Sequence, residues 1–418
     1  MNKTVKNLLI ALLGAACVGV VALSTNAIKA KKEAKMPKYV IMLIGDGMSF
    51  NSIAMTENYL AYKEGKNYGG PRLAMRSFPY FAMAETYCYD NVVTCSAAAG
   101  TAIATGQKTR QNYEGVDSQG QPIENIAEKL HAMGYNIGIV TDEPINHATP
   151  VAFYGHDKSR SHYGTFAKQL AESGFEMFAG NGFLQDRRAE FDDFDDIAYA
   201  KENGYEVVYN VSDLKSAGSK VCLFQPSSRV KESTITAEAD SLKTYDIEEA
   251  VQGDFSVKEM LELTIEKLGD KKPFFIMCEG GDIDHAAHAN FTMSVVNEIL
   301  EFDAAVASAV AFYEKHPDET LIIVTADHET GGVAVGGPRP YGRDNWVNWD
   351  VLDADWEANK SRGNNEGAFC HELSSQANVG FISYSHTAGC VPVFALGKHA
   401  ERFQTAMDNT EFVKKIMD

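Results

Sequence analysis

Positive charge is what this chain most lacks. Its 38 lysines and arginines face 57 aspartates and glutamates, a formal net charge of −19. Such a chain repels a phosphate backbone, which excludes nucleic acid as a partner. A small phosphorylated molecule is not excluded, because metal ions and one arginine can reverse the sign inside a cleft. Cysteine is sparse as well, with seven in 418 residues and no CxxC spacing. That excludes a structural zinc site built on cysteine. Cys88, Cys95, Cys222, Cys278, Cys370 and Cys390 lie beyond the N-terminal region, and the sequence does not choose among their pairings. Internal repeats and long low-complexity tracts are missing, so a solenoid or propeller is excluded.

Long apolar runs are also scarce. Lys3 and Lys6 precede one from Leu8 to Leu23, followed by small residues and then Lys29, Lys31, Lys32 and Lys35. The run is shorter than the roughly 20 residues a membrane span needs. It reads as a signal peptide over residues 1–30, cut near Ala27 or Ala30, with residues 31–418 forming the exported domain. An uncut anchor is the alternative. A lipid-attached form on Cys17 is a minor one, since Gly14 stands where a lipobox usually has leucine. The predicted location is periplasmic or secreted, with no stable membrane span after cleavage.

The remaining chain alternates short β-rich runs with helical patterns. Tyr39–Ile44, Asn136–Thr141, Phe274–Cys278 and Leu321–Thr325 are apolar runs suited to strands buried on both faces. Helical spacing covers Ile123–Met133, His162–Ser173, Ser256–Leu268 and Thr292–Tyr313. The alternation predicts an α/β fold, doubly wound, with a mostly parallel central sheet flanked by helices. Residues 186–202 carry seven acidic side chains and read as solvated surface. Residues 331–385 hold all three tryptophans, Trp346, Trp349 and Trp356, and read as a small insertion over a cleft or at an interface.

Polar residues gather where strands should end. Asp46 ends the first run, Glu279 follows the Phe274 run, and Asp327 and His328 follow the Leu321 run. Ligands of open α/β sheets sit at such carboxyl ends. Ser96, in Thr94-Cys95-Ser96-Ala97-Ala98-Ala99-Gly100-Thr101, is expected at a helix N-terminus, where free N–H groups favour an anion. Taken alone it reads more readily as a capping serine. Asp284 and His288 are four apart, so one helical face presents both. Oxygen and nitrogen ligands of this kind suit zinc, although an isolated pair also suits a surface ion pair. Asp327 and His328 are adjacent, so they converge on one ion only from a turn. Arg160 offers a planar fork for phosphate oxygens. His386 stands alone before a late apolar run.

Together, Gly45-Asp46-Gly47, Thr94–Thr101, His147-Ala148-Thr149-Pro150, Arg160, Glu279–His288, Asp327-His328 and His386 resemble the alkaline phosphatase family, in order and spacing, from about residue 38 to 397. The resemblance implies hydrolysis of phosphate monoesters through a phosphorylated Ser96. It implies one zinc ion on Asp284, His288 and His386, and a second on Asp46, Asp327, His328 and, in turnover, Ser96. It implies a third ion, usually magnesium, on Asp46, Thr149 and Glu279, and Arg160 as the phosphate clamp. It further implies small phosphorylated substrates of broad range and a homodimer, although the usual interface insertions are short here.

Three positions depart from the best-known bacterial pattern. His147 stands in place of an aspartate, which predicts loosely held magnesium and competition from zinc through His147. His285 stands in place of a lysine at the phosphate, which predicts looser product binding. Cys95 stands in place of an aspartate that positions the arginine, so a freer Arg160 is expected. Two rival readings remain. One is a phosphodiesterase or sulfatase of the wider superfamily, which Ser96 with Arg160 disfavours. The other is a noncatalytic exported protein that binds metal or phosphate, which the intact nucleophile disfavours.

Overall fold

The computed structural model describes residues 36–67, 69–186, 194–228, 253–336, 347–358 and 367–418. The expected signal peptide, Cys17 and Trp346 lie outside these residues. The strands are β1 (Tyr39–Gly45), β2 (Tyr80–Glu85), β3 (Asn136–Thr141), β4 (Met177–Gly180), β5 (Glu206–Val208), β6 (Val221–Phe224), β7 (Phe274–Gly280), β8 (Thr320–Thr325), β9 (Glu329–Thr330), β10 (Ala334–Val335), β11 (Val379–Gly380), β12 (His386–Thr387), β13 (Val391–Gly397) and β14 (Met407–Asp408). One sheet runs in the order β14-β2-β13-β8-β1-β7-β3-β4-β6-β5. It is parallel except at β13, which runs antiparallel to both β2 and β8. The predicted doubly wound α/β architecture is the one observed.

The helices used below are α1 (Phe50–Lys63), α2 (Ser96–Thr105), α3 (Ala148–Val151), α4 (Val257–Leu268), α5 (Asp282–His288), α6 (Thr292–Tyr313) and α7 (Trp349–Ala358). β1 lies between β7 and β8, with Tyr39 opposite Phe274 and Thr320. Every residue of these three strands is buried, which is why their sequences are unbroken apolar runs rather than alternating ones. Successive side chains of β7 meet opposite layers. Phe274 packs on Phe312 of α6, and Phe275 stacks on Phe153 just beyond α3. Truncating either phenylalanine to alanine costs about 3–5 kcal/mol at fully buried sites of this kind.

Local chemistry sets the helix ends. Helical spacing suggested a start at Ile123, but the helix begins at Ile126, because Asn125 caps it and accepts from Glu128 N at 3.0 Å. The acidic stretch is not uniformly solvated. Asp196 is buried at the first turn of its helix, where Gln185 Nε2 donates to it at 3.2 Å. Within 331–385, Trp349 of α7 packs on Tyr59 and Tyr62 of α1. Further along, the carbonyls of Ser383 and Tyr384 accept from Asn290 and His288. Among the described residues, none of the six cysteines from Cys88 to Cys390 forms a disulfide.

Candidate active site and metal centre

The register of the central strands builds the site. Ile44 of β1 pairs with Glu279 of β7 and with Thr325 of β8, so the carboxyl ends of the three strands lie at one level. Asp46 is next after β1, Glu279 is still within β7, and Asp327 and His328 occupy the bend after β8. That bend lets two adjacent side chains face one centre, as their chemistry requires. Gly47 has φ +71°, and a Cβ there would meet Asp284 Oδ1 at 2.8 Å. Its N–H donates to Asp327 Oδ1 at 3.1 Å. Only glycine meets both demands.

Two convergent donor sets result. Asp46, Asp327 and His328 form one, and Asp284, His328 and His386 form the other. His288 Nε2 lies 3.2 Å from Asp284 Oδ2 on α5, as the i, i+4 spacing predicts. The imidazoles are oriented for coordination. His288 Nδ1 donates to Tyr384 O at 2.6 Å and His386 Nδ1 to Thr94 O at 2.9 Å. With the proton held on Nδ1, each Nε2 turns its lone pair inward. Thr149 Oγ1 donates to Asp46 Oδ2 at 3.2 Å, and Thr141 Oγ1 to Glu279 Oε2 at 2.5 Å.

Electrostatics favour cations here. Among the described residues, Asp46 Oδ1, Asp327 Oδ2 and Glu279 Oε1 are buried without a hydrogen-bond partner. Burial, then neighbouring carboxylates, push Asp46 well above the usual carboxylate range. Burial raises Asp327 to about 7 and Glu279 to about 8. Burial opposes ionisation of Asp284 too, but His288, His328 and His386 outweigh it and hold that carboxyl well below its usual value. Burial and the adjacent His386 keep His328 neutral, hence able to coordinate. Orphaned oxygens, crowded carboxylates and inward lone pairs fit divalent ions with mixed oxygen and nitrogen ligands.

Ser96 is the first residue of α2, and its Oγ lies 3.3 Å from His328 Nε2. Cys95 takes the capping position without a side-chain cap hydrogen bond, so Ser96 is not consumed as a helix cap. The run of small residues has a steric reason. At Gly100 a Cβ would meet Ala152 Cβ at 3.0 Å, so α2 lies hard against the segment that carries Thr149.

Arg160 is tethered, contrary to the expectation drawn from Cys95. One guanidinium nitrogen donates to His147 Nε2 at 2.9 Å, and its backbone N–H donates to Asn112 O at 2.9 Å. Cys95 is buried, and its Sγ accepts from Asn112 N at 3.2 Å. Sequence reasoning missed two buried carboxylates. Glu114 is fully buried within electrostatic reach of Arg160, and nothing in its sequence neighbourhood signals this. Glu143 sits between His147 and His285, and its place four residues before His147 was the available signal. Burial opposes ionisation of Glu143, yet His285 and His147 bring it down to about 2. His285 rises to about 10 because Glu143 outweighs burial, while burial drops His147 to about 4. The position beside His147 therefore does not lack a carboxylate.

The alkaline phosphatase family model matches residues 37–180 and 171–418. This chain belongs to the alkaline phosphatase family. It is an enzyme, a metal-dependent phosphatase acting on phosphate monoesters. It is 29% identical over 440 residues to alkaline phosphatase 4 of Bacillus subtilis, covering 93% of this chain and 90% of that one. It is 30% identical over 326 residues to the alkaline phosphatase of Schizosaccharomyces pombe, covering 74% of this chain and 58% of that one. The solved alkaline phosphatase of the Antarctic bacterium TAB5 superposes with a TM-score of 0.70 at 27% identity, covering 92% and 98% of the two chains. A mutant of that enzyme has been solved with Mg bound in its M3 site, and it superposes with a TM-score of 0.69 at 26% identity, covering 92% and 97%. No described helix is long and apolar enough to cross a membrane.

Proposed function

We propose that Ser96 is the nucleophile and is phosphorylated in turnover, and that two zinc ions and one magnesium ion assist it. One observation carries this reading: Ser96 Oγ is buried at a helix N-terminus within 3.3 Å of His328, which belongs to both donor sets. Asp284, His288 and His386 would hold one zinc ion, and Asp46, Asp327 and His328 the other. Asp46, Thr149 and Glu279 would hold magnesium. Bound there, the cations would supply Lewis acidity that lowers the hydroxyl pKa and stabilises the entering and leaving oxygens.

The chain's own residues do the rest. Ser96 Oγ attacks phosphorus in line, the P–O bond to the alcohol breaks, and the alcohol departs. The departing alcohol carries off the proton that Ser96 gave up; water then attacks the phosphoserine, the P–Oγ bond breaks, and Ser96 Oγ takes a proton from that water. Two inversions leave the configuration at phosphorus unchanged. The amides at the start of α2 and the Arg160 fork orient the nonbridging oxygens. His285 adds positive charge beside them. We further propose that the enzyme is exported and dimeric, with residues 331–385 as an insertion bordering the cleft.

The test compares p-nitrophenyl phosphate with its bis ester after metal loading, with isotope-labelled phosphate trapped by acid quench. The expected result is preference for the monoester and label on the peptide containing Ser96. Preference for the diester, or label elsewhere, overturns the reading.

A further inference from the structure

Glu143 is only 2% exposed, yet its carboxylate faces two imidazoles. Oε1 lies 3.0 Å from His285 Nε2, and Oε2 lies 3.5 Å from His147 Nδ1. The two rings are 6.3 Å apart, so one carboxylate spans the gap between them. The protons point the same way. A guanidinium only donates, so His147 Nε2 accepts from Arg160, and the neutral ring keeps its proton on Nδ1, toward Glu143. Arg160 thus hydrogen-bonds His147 and Glu143 pairs with His285, while Glu143 meets His147 by a 3.5 Å charge contact in which neither His147 Nδ1 nor Glu143 Oε2 has a hydrogen-bond partner among the described residues.

The fold holds Glu143 firmly. Its N–H donates to Thr141 Oγ1 at 2.9 Å, and its carbonyl accepts from Asn181 N at 2.9 Å. Space is reserved for the side chain as well. A Cβ at Gly281 would lie 2.4 Å from Glu143 Cγ, although Gly281 has an ordinary helical φ of −80°. Glycine is needed there for room rather than for backbone freedom.

We propose that Glu143 is a positioning residue of the phosphate site, fixing His285 directly and Arg160 through His147. It touches neither substrate nor reacting atoms. The assignment rests on the phosphatase reading only in treating Arg160 and His285 as the phosphate contacts. The direction of the effect separates positioning from simple charge. A carboxylate that merely repelled the anion would, once neutralised, let phosphate bind more tightly. A carboxylate that aligns two phosphate ligands would, once neutralised, let phosphate bind more weakly.

The experiment uses the metal-loaded full chain and its E143Q variant. Inorganic phosphate affinity is measured by calorimetry, and KM and kcat on p-nitrophenyl phosphate. The expected result is phosphate affinity about tenfold weaker and KM raised by a similar factor, with a smaller change in kcat. Adding E143Q to a variant already carrying His147→Asn and His285→Gln should change phosphate affinity by less than about twofold, since nothing remains to be positioned. Gly281→Ala, which crowds Glu143 without altering its chemistry, should give the same loss and serves if E143Q does not fold. Tighter or unchanged phosphate binding in E143Q overturns the proposal, as does an undiminished effect in the doubly substituted background. A wild type that binds phosphate without hydrolysing the ester would sink the phosphatase mechanism and leave this comparison standing. A wild type that binds no phosphate overturns both.

Discussion

Thr330 Oγ1 lies 3.3 Å from His328 Nδ1 and also donates to Asp284 Oδ1. One hydroxyl thus ties together the imidazole shared by both donor sets and the carboxylate of α5. It leaves His328 Nε2 facing Ser96 Oγ, Asp46 and Asp327 at 3.3, 3.5 and 3.1 Å. Ser96, the proposed nucleophile, therefore sits against the group that joins the two halves of the centre.

Replacing Ser96 with alanine should abolish turnover while leaving the fold and metal content intact. Loss of a nucleophile lowers kcat by roughly a thousandfold or more. Steady-state assay, elemental analysis and acid-quench labelling on one preparation check this. Retention of a covalent phosphoryl adduct in Ser96→Ala would remove the basis of the mechanism.

Chelation should both inactivate and destabilise the enzyme, with opposite pH slopes in the two forms. Without cations, Asp327 and Glu279 titrate near 7 and 8, above ordinary carboxylates. The folded state then holds protons that the unfolded chain has released, so stability falls as pH rises from about 4 to about 8. With cations bound, protons compete with metal, and stability instead rises over that range. Saturating metal at a thousandfold excess over Kd adds about 4 kcal/mol per site. Thermal unfolding at pH 5.5 and 8 with chelator or with zinc plus magnesium measures both slopes. Parallel slopes would contradict the competition between protons and metal.

Removing the Arg160 fork should weaken phosphate binding in both ground and transition states. Arg160→Ala is expected to lower kcat/KM by about a hundredfold, with most of the loss in KM. Arg160→Lys should recover only part of it, because an ammonium carries charge without the paired donors. Full recovery by lysine would mean that charge alone matters there.

His147→Asp should tighten magnesium, a hard cation that prefers oxygen. It should also release Arg160 from its present partner, since His147 Nε2 now accepts from it. Magnesium activation curves for parent and variant after metal stripping provide the check. Unchanged magnesium dependence would remove His147 from the third site.

Asp196 offers a test far from catalysis. Burial raises its pKa to about 7, and its Oδ1 has no hydrogen-bond partner among the described residues. The folded state favours the protonated acid, so stability present at pH 4 is lost as pH rises through 7. Asp196→Asn should leave stability nearly unchanged at about pH 3.5, where the acid is mostly protonated in both states, and raise it above pH 8, by on the order of 2 kcal/mol after solvent screening. Urea unfolding at the two pH values decides it.

The sequence made the strands and the first candidate ligands legible because buried strands and clustered carboxylates and imidazoles both leave one-dimensional marks. β1, β3, β7 and β8 are long apolar runs, and Asp46, Asp327 and His328 come directly after β1 and β8. α6 matches its sequence-based bounds because its helical pattern is long. Three things were not legible. The pairing of β2 with β13 joins residues more than 300 apart, which no local pattern encodes. Glu143 and Glu114 look like ordinary surface acids until the fold buries them. Asp196 was hidden inside an acidic stretch that composition alone marks as solvated.

The register of β1 against β7 and β8 limits how this enzyme can change. Side chains alternate faces along a strand, so one residue inserted or deleted within any of these strands would send its acidic group to the wrong side of the sheet. Lineages built on this scaffold are therefore confined to substitutions in the sheet and must put length variation into the connecting loops.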